Sequence, residues 1–193
     1  IKLVEKFPEM ELIHRLPLLD IALSTLRQLS KRQYLLFKKN LNALVAMDTK
    51  IHLLEWTLQK ILFHHLDTVY EVASPQESKQ LSIEQTQQAS AVVISLLVHA
   101  GKQQGLSKAA AFALANEKLG NLGIELLSIS EIKLEHVGAA LDQLAQLAPL
   151  KKPLLLKACA KAIVADQQIS AAEVELFRAI ADLIDCPMPP LVN

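Results

Sequence analysis

A short turn motif occurs twice in this chain and constrains its fold more than any other feature of the sequence. The segments from Asp48 to Glu55 (DTKIHLLE) and from Asp166 to Glu173 (DQQISAAE) share the pattern D-x-x-I-x-x-x-E at positions 118 residues apart. In each copy an acidic residue follows one helix-forming segment and a glutamate opens the next, as expected at a junction between two helices. The repetition predicts two related halves, each built around one such junction.

The similarity between the two halves extends beyond the junction. With the same offset and no gaps, eleven positions of the first half, among them Leu23, Lys39 and Leu58, fall on identical residues of the second. We therefore expect one helical domain over residues 1–193, with an extended tail. Its predicted parts are a first half (17–72), a central insert (73–129), a second half (130–186) and the tail (187–193).

The composition favours an all-α fold of about seven helices. Hydrophobic residues make up 51% of the chain, aromatic residues only 4%, and there are just 5 glycines, a pattern typical of helix rather than strand. Helix starts are predicted wherever serine can cap a helix, in most cases with glutamine or glutamate three residues later. These capping residues are Ser30, Ser82, Ser107, Ser130 and Ser170.

The central insert contains a segment that is apolar on every side, Ala91 to Val98 (AVVISLLV). A helix that is apolar all round is buried, so we expect this segment to form a buried central helix between the two halves. A short buried strand is the rival interpretation, although the sequence offers no second strand-like segment to pair with it.

Charge and hydropathy exclude some functions. The formal net charge is zero, which argues against nucleic acid as a partner because phosphate binding requires surplus lysine and arginine. The longest apolar run, Ala89 to Ala100, is too short to span a bilayer. Cys159 is expected to be a buried structural thiol. The chain starts at Ile1 rather than methionine, and we expect it to be part of a longer protein.

The duplicated turn resembles the second half of an EF-hand calcium loop. A working loop needs oxygen ligands four and two residues before the aspartate, where the first turn has Leu44 and Ala46. The second turn also has apolar residues there. The turn residues are therefore expected to be structural, with the aspartate binding backbone N–H groups, the isoleucine pinning the turn to the core and the glutamate capping the next helix. These residues are Asp48, Ile51, Glu55, Asp166, Ile169 and Glu173.

A metal site at the turns is the alternative interpretation. His52 and Glu55 are three residues apart and could share one helix face, which provides two ligands. The other candidate ligands are Asp48, Asp166 and Glu173. The sequence contains no H-E-x-x-H motif and no nucleophile–base pair, so we expect no catalytic residue and no cofactor in this chain.

Two resemblances suggest a context for the fold. The segments Val164 to Glu173 and Ala46 to Glu55 resemble the A-D-G-x-I-x-x-x-E turn of the tellurite-resistance TerB family, although the glycine is replaced by Gln167 and Thr49. This resemblance implies a TerB-like helical bundle, in a family linked to metal sensing, stress responses and membrane-associated assemblies.

The second resemblance covers nearly the whole chain. Together with the two turns, the segments Leu16 to Leu23 (LPLLDIAL) and Arg178 to Pro190 (RAIADLIDCPMPP) resemble the C-terminal region of bacterial membrane-bound zinc metallopeptidases of the HtpX-like, CAAX-protease-related class. The resemblance implies a parent peptidase whose zinc and H-E-x-x-H motif lie upstream.

From this resemblance we expect a soluble, non-catalytic domain on the cytoplasmic side of a bacterial inner-membrane protein. It would regulate the peptidase or recruit protein partners or substrates to it, and its partners would include the parent's membrane and protease domains. The alternative function is a free-standing TerB-type metal-responsive or stress-response binding module.

Overall fold

A computed structural model describes residues 15–47, 53–72, 80–101, 106–186 and 188. In these ranges the chain forms eight α-helices, two short 3-10 helices and no β-strand. The all-α class is therefore confirmed, with one helix more than the sequence predicts. The α-helices are α1 (Arg15–Leu26), α2 (Lys31–Met47), α3 (Leu53–Val69), α4 (Gln87–Ala100), α5 (Lys108–Lys118), α6 (Leu134–Leu144), α7 (Lys152–Ile163) and α8 (Ala171–Leu183). The 3-10 helices span Glu84–Thr86 and Val164–Asp166.

The chain divides into two compact units, an N-terminal unit over Ile1–Pro75 and a C-terminal unit over Gln76–Asn193. The boundary lies close to residue 72, where the sequence predicts the end of the first half. The predicted central insert belongs to the same unit as the second half. That the whole chain acts as one domain stays a prediction.

The N-terminal unit contains helices α1 to α3 around a small core. Its buried residues are Leu23, Tyr34, Leu62, Leu66 and Tyr70. The rings of Tyr34 and Tyr70 stack with their centroids 4.6 Å apart. Partly buried side chains complete the packing: Leu19, Leu26, Leu29, Phe37, Leu41, Phe63 and Val72.

Helix α4 is the centre of the C-terminal unit. It contacts α5, α6, α7 and α8, and its buried residues are distributed around the whole helix. The prediction of a buried helix is therefore confirmed and the rival prediction of a strand is wrong, while its place between the two halves stays a prediction. The buried residues of α4 are Ala89, Ser90, Ala91, Val93, Ile94, Ser95, Leu96, Leu97 and Val98.

One helix boundary in each unit agrees with the repeat found in the sequence. Helix α1 ends at Leu26 and α6 ends at Leu144, which is 118 positions later, the offset of the duplicated turn. Helix α2 (Lys31–Met47) begins three positions earlier, at this offset, than α7 (Lys152–Ile163). That the two halves are related throughout stays a prediction.

Most of the predicted capping residues stand where helices begin. Ser30 and Gln33 form reciprocal bonds at the start of α2, and Ser82 and Gln85 do so before the 3-10 helix that leads into α4. The hydroxyl of Ser107 accepts a hydrogen bond from Ala110 N at the start of α5.

The predicted start of a helix at Ser130 is wrong, because α6 begins four residues later at Leu134. Ser128 and Glu131 make the serine–glutamate interaction instead, with Ser128 N donating to Glu131 Oε2 at 2.8 Å. This bond closes a turn, and the two residues after it are not helical. Within the described ranges, no helix is both long enough and apolar enough to cross a membrane.

Candidate functional site

The second copy of the duplicated turn is held by its own side chains. Asp166 Oδ1 accepts a hydrogen bond from Gln168 N at 3.0 Å, and Gln167 between them has a left-handed backbone with φ +61°. Ser170 Oγ accepts from Glu173 N, while Glu173 Oε2 accepts from Ser170 N at 2.8 Å. The capping box expected at Ser170 and Glu173 is confirmed.

Ile169 does not have the expected role of pinning this turn to the core, because its side chain is 37% exposed. Glu173 occupies the buried position instead and is only 4% exposed. Its Oε1 lies 2.5 Å from the point where a Cβ atom would stand at Gly101, the residue that follows α4. Glycine at 101 therefore leaves the space that this carboxylate fills between α4 and α8.

These contacts do not fit a metal site at the second turn. One oxygen of Asp166 and one of Glu173 already accept hydrogen bonds from the chain itself, and Glu173 is almost fully buried. Among the residues that the structure describes, no three His, Cys, Asp or Glu side chains come together in a group that could hold a metal ion. The first turn cannot be compared, because Asp48, Ile51 and His52 lie outside the described ranges.

The N-terminal unit has a concave surface lined by residues that the structure describes. It is a groove with a volume of about 400 Å³ between the N-terminal part of α3, the C-terminal part of α2 and one residue of α1. The size falls within the range of ligand pockets, about 300–1,000 Å³. The lining residues are Leu19, Leu41, Leu44, Val45, Glu55, Leu58, Gln59 and Leu62.

The groove combines an aliphatic lining with a single carboxylate. Among the residues that the structure describes, six of the eight that line it are leucine or valine, and Glu55 is the charged one. Leu44 is 67% exposed although it lines the groove, so an apolar side chain entering it would bury leucine surface that now faces water. The geometry suits the apolar face of a peptide segment that also carries a positive charge.

Polar contacts between α2 and α3 hold the walls of the groove together. Asp67 on α3 accepts hydrogen bonds from the Tyr34 hydroxyl at 2.5 Å and from Lys38 Nζ at 2.7 and 2.6 Å. Burial, together with the bond to Asp67, raises the pKa of the Tyr34 phenol. Gln59, which lines the groove, donates to Asn42 Oδ1 at 2.8 Å.

The sequence did not indicate this Tyr34–Lys38–Asp67 cluster. Tyr34 follows the apolar spacing of α2, and nothing in that spacing shows that its hydroxyl would reach an aspartate 33 residues away. The only available signal is the presence of a lysine four residues after Tyr34 on the same helix face.

A second polar cluster anchors the segment 121–133 to α4 in the C-terminal unit. Ser95 Oγ accepts a hydrogen bond from Leu127 N at 3.0 Å, and His99 Nε2 lies 2.8 Å from Leu127 O. Because a carbonyl oxygen only accepts, His99 Nε2 carries the proton, and Nδ1 can accept from Lys108 Nζ at 3.2 Å. These contacts tie Leu127 to α4 from two sides.

Cys159 is fully buried in α7, as expected of a structural thiol. Burial raises the pKa of its thiol from an ordinary 9.0 to about 12. The thiolate, which is the reactive form, is therefore strongly disfavoured at neutral pH.

Comparisons with known proteins find no family model, no curated protein and no solved structure that matches the chain.

Proposed function

We propose that this chain is a non-catalytic recruiting domain that binds an apolar segment of a partner or substrate protein. The groove of the N-terminal unit is the observation that carries the proposal. It joins six aliphatic side chains with one carboxylate in a volume of about 400 Å³, which is the chemistry of a groove for an amphipathic peptide segment.

The expected occupant is an amphipathic helix or short peptide with leucine-like anchors and at least one lysine or arginine. The anchors would bury the exposed surface of Leu44 and fill the space between Leu41 and Leu58. A basic residue at the edge of the anchor row would face Glu55, the charged residue among the described residues that line the groove. Charge complementarity at such an edge supplies specificity more than affinity.

The resemblance to the C-terminal regions of membrane-bound zinc metallopeptidases supports a place for this domain within a larger enzyme. In this proposal the parent chain hydrolyses peptide bonds with its own zinc, on the cytoplasmic side of a bacterial inner membrane. The present domain brings protein substrates or regulatory partners to it. No residue of this chain takes part in the hydrolysis.

The link to a peptidase is tested by reading the coding sequence upstream of the codon for Ile1. We expect an H-E-x-x-H motif and hydrophobic membrane-spanning segments in the same reading frame. A start codon immediately before Ile1 would contradict this part of the proposal while leaving the function of the groove intact.

The alternative, a free-standing TerB-type metal-responsive or stress-response module, is supported by the duplicated turn motif. The geometry of the second turn favours it less, because Glu173 is buried in a capping box and Asp166 binds a backbone N–H group. Isothermal titration with calcium, magnesium and zinc distinguishes the two proposals. A micromolar site that is lost in Glu173→Gln would favour the metal-responsive module.

Peptide binding is tested with a fluorescein-labelled amphipathic peptide of leucine, alanine and lysine, titrated with the whole 193-residue chain. We expect binding that weakens at least about tenfold in Leu44→Asp, since a buried leucine contributes about 1.5–3 kcal/mol. A peptide with glutamate in place of lysine should bind more weakly, because it would meet Glu55 with a like charge.

Leu36→Asp is the matched control. Leu36 lies on the same helix and is 59% exposed, similar to Leu44 at 67%, but it does not line the groove. Peptide affinity should therefore stay within about twofold of the unmodified chain, the scatter usual for surface substitutions. An equal loss of peptide affinity in Leu44→Asp and Leu36→Asp, or no peptide binding at all, would refute the groove as the recruiting site.

A further inference from the structure

The outer face of helix α2 presents cations and leucines together to the solvent. The helix contains four basic residues and no acidic one (KRQYLLFKKNLNALVAM). Its inner face packs on the core through Tyr34, Phe37 and Leu41. Lys38 is bound to Asp67, so it belongs to the contact with α3.

The opposite side of α2 has four residues that lie four, three and four positions apart. This is the spacing of residues on a single helix face. They are Arg32, Leu36, Lys39 and Ala43, and all of them are exposed. Leu35, three residues after Arg32 and four before Lys39, lies beside this row and is 46% exposed, while Leu36 is 59% exposed. We call Arg32, Leu35, Leu36 and Lys39 the basic–leucine face.

We propose that the basic–leucine face binds the surface of an anionic lipid bilayer. The two leucines would enter the boundary between headgroups and acyl chains, and Arg32 and Lys39 would contact lipid phosphates and carboxylates on either side of them. Lysine and arginine combined with leucine on an exposed helix surface is the pattern typical of peripheral membrane binding.

The shape of the face favours a bilayer over an acidic protein segment. The four residues lie on the convex side of one helix, whereas the groove of this unit is lined by a different set that includes Leu41, Leu44 and Val45 of α2. A peptide gains affinity from a concave site that surrounds it, while a membrane is a plane that a convex surface can touch. The inference does not depend on the proposed recruiting function, because the two surfaces share no residue.

The direct test is co-sedimentation of the whole chain with vesicles of phosphatidylcholine containing about one-third phosphatidylserine, an anionic lipid. We expect binding to these vesicles, little binding to pure phosphatidylcholine, and a steep loss of binding as salt is added. A basic residue near an anionic surface strengthens binding about fivefold. The double variant Arg32→Gln/Lys39→Gln should therefore bind about 25-fold more weakly.

The matched control is Lys157→Gln/Lys161→Gln, which removes two exposed cations from α7 in the C-terminal unit. It changes the net charge by the same amount and should alter vesicle binding by less than about twofold. Leu36→Asp should weaken vesicle binding at least about tenfold, because it replaces a membrane-inserting leucine with a negative charge. Leu44→Asp should leave vesicle binding unchanged. Circular dichroism of each variant verifies that it is folded.

Each of the following results would overturn the proposal. The first is an equal loss of vesicle binding in the α2 and α7 double variants. The second is that the folded chain does not bind the anionic vesicles, and the third is that it binds neutral and anionic vesicles equally well. Binding of an acidic leucine-containing peptide through Arg32 and Lys39, without vesicle binding, would also overturn it and would assign the face to an acidic protein. Loss of peptide binding in the groove would affect only the recruiting function.

Discussion

At the scale of single residues, the contact between Glu173 and Gly101 links the end of α4 to the start of α8. Gly101→Ala would place a Cβ atom 2.5 Å from Glu173 Oε1. The carboxylate cannot simply move away, because Oε2 is held by Ser170 N and Oγ. We expect the free energy of unfolding to fall by about 1–3 kcal/mol, the usual cost of overpacking, as measured by urea denaturation.

A double-mutant cycle tests whether the loss arises from this contact. In a Glu173→Ala background the added methyl group meets no carboxylate, so Gly101→Ala should cost much less there. Gly120→Ala offers a contrast, since Gly120 has φ +87° with open space around it. Its cost comes from the backbone alone and should be the same in both backgrounds. If the losses of unfolding free energy caused by Gly101→Ala and Glu173→Ala simply add in the double variant, the proposed contact is contradicted.

Cys159 should make stability sensitive to alkaline pH. In the unfolded chain its thiol ionises near its ordinary pKa of 9.0, whereas in the fold burial raises the pKa to about 12. The buried thiol therefore contributes its full stabilisation below pH 9 and loses it between pH 9 and 12, by about 1.4 kcal/mol per pH unit.

The matched variant is Cys159→Ala, which removes the ionising group. The difference in unfolding free energy between the original chain and this variant should shrink as pH rises from 9 to 11. Tyr34, whose pKa is also raised, is present in both proteins and cancels in the comparison. A difference that stays constant over this range would show that Cys159 does not titrate with unfolding.

Sequence patterns predicted the hydrogen bonds within the second copy of the duplicated turn, but not which of its side chains is buried. The serine–glutamate spacing at Ser170 and Glu173 predicted the capping box because both partners are three residues apart in the chain. Whether Ile169 or Glu173 faces the interior depends on α4, about 70 positions earlier in the sequence. A polar residue is buried only when a specific partner and enough space for its side chain exist. Nothing in the sequence shows that the glycine at position 101 provides this space for Glu173.

At the scale of helices, a polar cluster joins α2 to α3 in addition to the apolar core that the two helices share. Tyr34→Phe removes the hydroxyl that donates to Asp67 but keeps the ring stacked on Tyr70. A hydrogen bond to a charged partner contributes more than a neutral one, so we expect a loss of about 2 kcal/mol in unfolding free energy.

Tyr70→Phe is the control for this prediction. Its hydroxyl donates to the backbone oxygen of Leu26 at 2.6 Å, a bond between neutral groups that should contribute about 1 kcal/mol. Urea denaturation of both variants gives the comparison. A smaller loss in Tyr34→Phe than in Tyr70→Phe would mean that Lys38 alone satisfies Asp67.

Sequence periodicity identified the helices better than their ends. The segment from Ala91 to Val98, which is apolar except for Ser95, predicted the buried helix α4, because a helix that is apolar on all sides is buried. The start of α6 was missed because Ser128 and Ser130 both precede a possible helix. The choice between a cap and an isolated turn depends on contacts beyond the local sequence, including the anchoring of Leu127 to α4.

At the scale of the whole molecule, the chain consists of two compact units of unequal size. The C-terminal unit surrounds the buried helix α4, whereas the core cluster of the N-terminal unit has five buried residues among those that the structure describes. Larger units bury a greater fraction of their surface and are more stable on their own. We therefore expect the isolated fragment Gln76–Asn193 to remain helical and to unfold cooperatively.

Circular dichroism of this fragment during heating tests the prediction. The separate fragment Ile1–Pro75 should be less stable, and together the two melting curves measure how independent the units are. A C-terminal fragment without a cooperative transition would contradict the division into self-supporting units. The repeat in the sequence predicted equivalent helix positions in the two halves, but it did not show that the central insert would fold with the second half.

The central claim is that the groove of the N-terminal unit recruits an apolar, positively charged segment. Methyl NMR of the whole chain, labelled at leucine and valine, tests it during titration with the amphipathic lysine-containing peptide. We predict saturable shifts at Leu44, Val45 and Leu58, which line the groove, and none at the buried residues Leu155 and Leu156 of α7. Shifts confined to the C-terminal unit, or none at the groove, would contradict the claim.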